Sequence, residues 1–392
     1  MFNAILFLFI CFLWLGYAVL IFCYRRFWKQ APNIDHHSLP KDNKPFISII
    51  IPARNEEHNI SALLNSILLQ TYDSNCFEVM VMDDFSTDKT PEIIKSFKQP
   101  HIHYYSLKDF IGDTSINAYK KKAISTAVSL AKGELMVTID ADCTTDPLWL
   151  ETIAAFYCFH QPEMIVMPVV ISSEKSFIQL FQQLDFMSLQ GITGGAVYKK
   201  FHGMCNGANL AYTKAAFNSV DGFNDIDAIA SGDDMLLMHK IAKKGKHRIL
   251  YLKSKNVIVK TAPVETIGAF LQQRIRWASK ADKYIDKSLF PVLLLVYLFN
   301  LSLLILFISG MFKTICFKIT TVYFNSWELL LMLLIGKTLI ELYFLFPVAD
   351  FFNKKKSLFL FPMMQPFHII YTIVAGWLGK FGTYRWKERQ VN

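Results

Sequence analysis

The chain has 392 residues, 53% of them hydrophobic and 19% charged, with 41 Lys and Arg against 32 Asp and Glu for a net charge of +9. Its positive mean hydropathy excludes an ordinary soluble globule, and the apolar excess gathers at the two ends. No arginine-rich stripe interleaved with aromatics points to nucleic acid, and seven scattered cysteines without a Cys-x-x-Cys pair indicate neither a zinc site nor a disulfide framework.

Residues Phe2 to Cys23 carry no charge and are long enough to cross a hydrocarbon core, which takes about 20 apolar residues in a helix. A cleaved signal peptide is disfavoured by the lack of basic residues before the run and by its length. The reading is a retained anchor over residues 1–28. Arg25, Arg26 and Lys29 close it, and the positive-inside rule then places the chain beyond them in the cytoplasm. Basic residues beside the membrane segments also favour an anionic leaflet.

Between Phe46 and Thr261 short apolar runs alternate with helical ones. Strands are expected at Phe46–Ile51, Glu78–Met82, His103–Ser106 and Leu135–Ile139, and helices at Glu57–Leu69, Pro91–Phe97 and Tyr119–Ala131. That alternation predicts an α/β domain over 46–261 with a mostly parallel sheet flanked by helices. Ligands of such sheets bind beyond the carboxyl ends of strands. There the chain carries Arg54-Asn55-Glu56, Asp83-Asp84, and Asp140 with Asp142.

Strand alternation points residues i and i+2 to one side, so Asp140 and Asp142 are expected to face one point past the fourth strand. A Mg²⁺ ion carrying a diphosphate needs only one or two protein carboxylates. Cys143 beside them reads as a small buried residue. The run Tyr119-Lys120-Lys121-Lys122 opens a helix, where the macrodipole disfavours cations. An anionic ligand such as a diphosphate explains it, and so does a solvated charge run.

Residues 262–288 hold Gln272-Gln273-Arg274-Ile275-Arg276-Trp277 on a helix whose Ile267, Phe270, Leu271, Ile275 and Ala278 form an approximate apolar stripe. Such a helix suits the membrane interface; Arg276 and Trp277 either face the globular domain or mark a headgroup boundary. The membrane region, 289–392, has apolar segments at Leu289–Phe312, Trp327–Ala349 and Leu358–Leu378. The loop Asn353–Lys356 and the tail with Lys380, Arg385, Lys387 and Arg389 are both basic and both prefer the cytoplasmic side. Pro362 and Pro366 make a re-entrant hairpin of the last segment plausible, leaving three or four spans in all. Lys337 and Glu341 stand one helical turn apart, where they can pair or mark a polar pathway.

In order along the chain, Pro52-Ala53-Arg54-Asn55-Glu56, Asp83–Asp88, Lys120–Ile124, Asp140-Ala141-Asp142, Gly232-Asp233-Asp234 and Gln273-x-x-Arg276-Trp277 resemble the motifs of family 2 inverting glycosyltransferases. The likeness is to the membrane-embedded branch of cellulose, chitin and hyaluronan synthase-like enzymes, and it covers roughly Phe46–Lys283. It implies a GT-A type nucleotide-sugar-binding domain between one N-terminal and two to three C-terminal transmembrane helices. The implied reaction is hexosyl transfer from a nucleoside-diphosphate sugar, with UDP the expected carrier, to a hydroxyl of a lipid or glycan acceptor. The resemblance implies Asp234 as general base, with Asp233 the lesser candidate, since relatives often read Glu-Asp here. It implies donor contacts at Ala53, Arg54, Glu56, Asp83, Asp84, Lys120, Asp140, Gln273, Arg276 and Trp277, and acceptor contacts at Asn206, Gly207 and Trp277. Asp140 and Asp142 are the implied ligands of Mg²⁺ or Mn²⁺. The stretch Cys205–Asn209 resembles an acceptor-side segment, though its Asn and Gly residues also suit a tight turn. The membrane region is shorter than in large polymer synthases, which counts against secretion of a long polymer. The expected location is a bacterial inner membrane, with the catalytic domain cytoplasmic. The rival readings are a phosphatase or phosphotransferase with Asp140 as nucleophile and Asp142 as acid/base, and a catalytically inactive membrane nucleotide-binding partner.

Overall fold

The computed structural model describes residues 2–34, 44–172, 176–245, 248–280, 283–284, 286–312, 316–319, 322–381, 384–386 and 389–391; Lys387 lies outside them. The elements run α1 (Phe2–Gln30), β1 (Ile47–Ala53), α2 (Ile60–Leu68), β2 (Phe77–Asp83), α3 (Thr90–Ser96), β3 (Ile102–Ser106), α4 (Lys108–Ile111), α5 (Tyr119–Leu130), β4 (Leu135–Thr138), β5 (Cys143–Thr144), α6 (Trp149–His160), β6 (Met164–Val166) and β7 (Val169–Ile171). They continue with α7 (Phe177–Tyr198), β8 (Leu210–Thr213), α8 (Lys214–Ser219), α9 (Asp233–Gly245), β9 (Ile249–Tyr251), β10 (Val259–Thr261), α10 (Ile267–Ala278), α11 (Leu289–Phe312), β11 (Cys316–Ile319), β12 (Val322–Asn325), α12 (Ser326–Phe351) and α13 (Phe361–Phe381). Two compact units result. The helical unit takes Met1–Gln30, Glu174–Gly195 and Val264–Tyr384, and the sheet unit takes Ala31–Ser173, Ala196–Pro263 and Arg385–Asn392. The stretch read as one domain over 46–261 thus lends most of α7 to the helical unit.

The sheet unit is built on seven strands in the order β3-β2-β1-β4-β8-β6-β9. Strands β1 to β4 are mutually parallel, and β8 runs antiparallel to both β4 and β6. Continuous apolar runs such as Ile49-Ile50-Ile51 and Val79–Met82 are buried on both faces, as interior parallel strands require. Glu78, an acid inside that core, accepts from the Ser48 hydroxyl and the Lys132 amide, each at 2.7 Å. The α2 side chains Ile60, Leu63, Leu64 and Ile67 are buried at helical spacing. The chain steps outward from β1 through β2 to β3, then returns to β4 on the other side of β1. Strand order therefore reverses between β1 and β4, the place where a crevice opens at the carboxyl edge of such a sheet.

Strand β4 ends at Thr138, and Asp140-Ala141-Asp142 form the next turn, closed by the Cys143 amide on the Asp140 carbonyl at 3.2 Å. Strand alternation therefore does not set the two carboxylates. The turn is held instead by β5, whose Cys143 pairs with Thr261 of β10 in a second, three-stranded sheet.

In the helical unit α1, α11, α12 and the stretch Lys355–Phe381 are each long and apolar enough to cross a membrane. The last forms one helix from Phe361 to Phe381 that continues through Pro366, so the prolines do not turn it back as a hairpin. Lys337 and Glu341 do pair, at 2.7 Å. Gln365 joins them, accepting from Lys337 at 2.7 Å and donating to Glu341 at 2.5 Å, and the Tyr17 hydroxyl donates to Glu341. The group ties α1, α12 and α13 together, as polar side chains do between apolar helices. On α10 the apolar stripe is only partly inward, with Phe270 and Ile275 buried and Ile267 exposed.

Candidate active site

Past β1, Arg54 donates from Nη1 to the carbonyls of Asp84 and Phe85 at 2.8 and 3.2 Å. The Asp84 amide returns to the Ala53 carbonyl at 2.8 Å. Asn55 and Phe85 both adopt left-handed backbone, with φ of 51° and 54°, and the Asn55 side chain accepts from the Thr87 amide at 2.9 Å. Arg54 and Asn55 thus brace the β2 turn from the β1 turn. That arrangement leaves Asp83 and Asp84 buried at the head of β2. Burial pushes the Asp83 carboxyl up, against hydrogen bonds from Ser86 that pull it down. Glu56 accepts from the Asn59 amide group at 2.8 Å.

Lys120, at the start of α5, is the centre of charge. Its Nζ lies 2.7 Å from Asp140 Oδ1 and 3.3 Å from Asp233 Oδ2. Burial works against the ammonium, but Asp140 and Asp233 outweigh it and hold Lys120 above the usual lysine range. Asp142 is pushed up to about 6 by burial, then by the neighbouring charges of Asp140 and Glu56. Its oxygens accept from the Thr261 hydroxyl at 3.2 Å and the Cys143 thiol at 3.5 Å. Burial pushes the Cys143 thiol up as well, as suits an inert core residue.

Asp233 and Asp234 open α9, and they are held differently. Asp233 is ion-paired with Lys120, whereas Asp234 Oδ2 accepts from the Gly207 amide at 3.0 Å and Oδ1 from the Met235 amide at 2.7 Å. A Cβ added to Gly207 would stand 3.1 Å from Asp233 Oδ2 and 3.5 Å from Lys120 Nζ, so glycine lets the main chain approach the ion pair. Asn206 makes the turn, accepting from the Ala208 amide at 2.9 Å. Asn209 is fully buried and structural. It donates to the carbonyls of Pro168 and Val257 at 2.8 and 2.7 Å and accepts from the Trp149 indole at 3.1 Å.

The sheet unit thus gathers the carboxylates and Lys120 at its switch edge, while Gln273, Arg276 and Trp277 stand on α10 of the helical unit. The lysine run divides by helical geometry, since successive side chains on a helix point about 100° apart. Lys120 faces the carboxylates and Lys122 is exposed. Lys121, which the sequence did not single out, is buried and donates to the carbonyls of Ile226 and Ile229 at 2.7 and 2.6 Å. Lys240 does the same for Gly222 and Asn224 at 2.9 and 2.6 Å. Together they clamp the loop leading to Asp233. Lys121→Met is expected to strand those carbonyls and cost about 2–3 kcal/mol of stability, read as a lowered apparent Tm in detergent. An unchanged Tm would show that the loop does not depend on the clamp.

Among the described residues no group of three or more His, Cys, Asp or Glu is arranged to hold a metal ion. Two carboxylates nonetheless suit a hard cation whose other ligands come from a diphosphate and water. After burial, the neighbouring charges of Asp140 and Glu56 raise Asp142, and that repulsion is what such a cation would relieve, so Asp140 and Asp142 fit the group.

The model of the group 2 glycosyl transferases matches residues 135–352, more than half of the chain, and that of glycosyl transferase family 2 matches residues 48–220. The chain is a family 2 glycosyltransferase. Glycosyltransferase AglE of Haloferax volcanii is 36% identical over 107 residues, 27% of this chain and 34% of that protein. A beta-monoglucosyldiacylglycerol synthase of Nostoc sp. is 25% identical over 250 residues, 62% of this chain and 50% of that one. The chain therefore spans half or less of the length of these relatives. A mannosyltransferase of Pyrobaculum calidifontis, solved in complex with GDP-Man and Mn²⁺, shares the fold. Its TM-score is 0.61 at 17% identity, over 96% of this chain and 99% of that one.

Proposed function

We propose that this glycosyltransferase is an integral membrane enzyme that moves a hexose, with inversion, from a nucleoside-diphosphate sugar to a hydroxyl of a lipid or glycan. The observation that carries the reading is Lys120 bridging Asp140, on the diphosphate side, to Asp233, beside the candidate base. Glu56, Asp83 and Asp84 suit a uridine donor, because an ionised carboxylate only accepts and uracil N3–H and ribose hydroxyls donate. Arg54 serves by bracing the turn that presents Asp83 and Asp84. Asp142, with Asp140, would hold a divalent cation, which would supply charge neutralisation at the diphosphate.

Asp234 is the base. As the acceptor oxygen bonds to the anomeric carbon, its proton passes to the Asp234 carboxylate and the bond to the diphosphate oxygen breaks on the opposite face. Asp233 is the weaker candidate because Lys120 neutralises its charge. The Gly207 amide orients Asp234 from the acceptor-side turn made by Asn206. The roles of Gln273, Arg276 and Trp277 at donor and acceptor rest on the family resemblance. Family membership displaces the phosphotransferase reading.

The test supplies membranes holding the protein with a panel of nucleotide sugars and analyses lipids and glycans by mass spectrometry. One donor should yield a product of one added hexose that membranes with the Asp234→Asn variant do not make; no such product from any donor would end the proposal.

The sheet unit is proposed to lie in the cytoplasm, because Arg25, Arg26 and Lys29 close α1. Lys89 and Lys132 are exposed. Single cysteines placed there, in a cysteine-free background, should react with an impermeant thiol reagent only after permeabilisation. Labelling of intact cells would reverse the topology.

A further inference from the structure

Asp185 sits in α7, within the helical unit, and its side chain is only 2% exposed. A buried carboxylate is costly unless it is paired. Its partner is Arg274 of α10, 4% exposed, whose Nε and Nη2 donate to Asp185 Oδ2 at 3.1 and 2.7 Å. The other carboxylate oxygen accepts from the Tyr371 hydroxyl of α13, with His368 Nε2 at 4.0 Å.

Arg274 is the buried charged residue inside the Gln273-to-Trp277 stretch, and it reaches two of its neighbours. Its Nη1 donates to Gln273 Oε1 at 2.9 Å. Its guanidinium carbon lies 4.2 Å from the Trp277 ring centroid and 4.6 Å from that of Phe270. Phe186, next to Asp185 in sequence, has its ring 6.1 Å from that of Trp277. Gln273 and Trp277 are half-buried, so each keeps an accessible side while Arg274 fixes it from beneath. A buried ion pair is poor evidence for stability, because apolar residues of similar volume are often as good. What an apolar pair cannot do is aim a donor at the Gln273 amide while stacking a planar cation on Trp277.

We infer that Asp185 is a positioning residue for sugar transfer: it orients Arg274, and Arg274 sets the side chains of Gln273 and Trp277. The inference rests on reading Gln273 and Trp277 as donor- and acceptor-binding residues.

The test uses the full chain in detergent with its tryptophans replaced by 5-fluorotryptophan, the Trp277 resonance being assigned from Trp277→Phe. In the paired variant Asp185→Leu with Arg274→Met, the apparent Tm should stay within a few degrees of the parent. The Trp277 ¹⁹F signal should shift or broaden, and kcat/KM should fall by roughly 10- to 10²-fold, the scale of a misplaced binding group. Arg274→Lys keeps the charge but loses the fork, and should show the same signal change and the same loss, which covers the case of a paired variant that does not fold. Parental kcat/KM in either folded variant overturns the inference, as does a loss of turnover with the Trp277 signal unmoved. If the parent transfers no sugar at all, the functional reading fails, while the ¹⁹F signal still decides whether the Asp185–Arg274 pair positions Trp277.

Discussion

Asp234→Asn should leave the donor dissociation constant within about threefold of the parent and lower turnover by roughly 10²-fold or more. The amide keeps the size of the side chain, and its single oxygen can still accept from one of the two backbone amides, of Gly207 and Met235, that hold the carboxylate, but it cannot take a proton. A group used mainly in the transition state lowers kcat rather than ground-state binding. Asp233→Asn should behave otherwise. It removes one of the two carboxylates that hold Lys120, so it should disturb donor binding while costing less in turnover than Asp234→Asn. Isothermal titration with donor, alongside initial rates, separates the two. Normal turnover in Asp234→Asn would remove it as the base, and equal turnover losses with unchanged donor binding would leave Asp233 with as strong a claim.

Removal of divalent metal should abolish transfer, and Mg²⁺ or Mn²⁺ should restore it. The diphosphate of a bound donor would otherwise add negative charge beside Asp140, Asp142 and Glu56, where the first and last already raise Asp142. Lys120, already paired with two carboxylates, cannot offset that alone. Asp142→Asn should accordingly weaken the apparent metal affinity by about ten- to a hundredfold, the scale of a lost ligand or its support, and leave the fold intact, since Asp142 lies in a turn outside the strands. Rates against metal concentration at saturating donor report it. Full activity in EDTA would take metal out of the scheme.

Local pattern determined a good deal on its own. Four strand starts, at Ile47, Phe77, Ile102 and Leu135, fall within a residue of where the sequence places them; β1, β2 and β4 are legible because strands buried on both faces are mostly apolar, while β3 is a half-buried edge strand. The long apolar helices were legible from length and composition, since a hydrocarbon core admits little else. The ordered acids at strand ends, with the later Gln-x-x-Arg-Trp signature, identified the family.

Only the tertiary structure decided how those residues are placed. Strands β8, β6 and β9 are short and extend the sheet beyond β4 with an antiparallel step that no local signal marks. The turn carrying Asp140 and Asp142 is set by β10, which lies more than a hundred residues further along. The sequence shows three adjacent lysines, and which one meets Asp140 depends on which face of α5 packs on the sheet. Asp233 and Asp234 look alike in a row of letters; they part because Lys120 reaches one and the Gly207 amide reaches the other. Arg274, in sequence one more cation beside the signature, is buried against an acid 89 positions earlier. In each case the deciding partner is distant in the chain, and the direction of a side chain becomes known only when packing has chosen the face that turns inward.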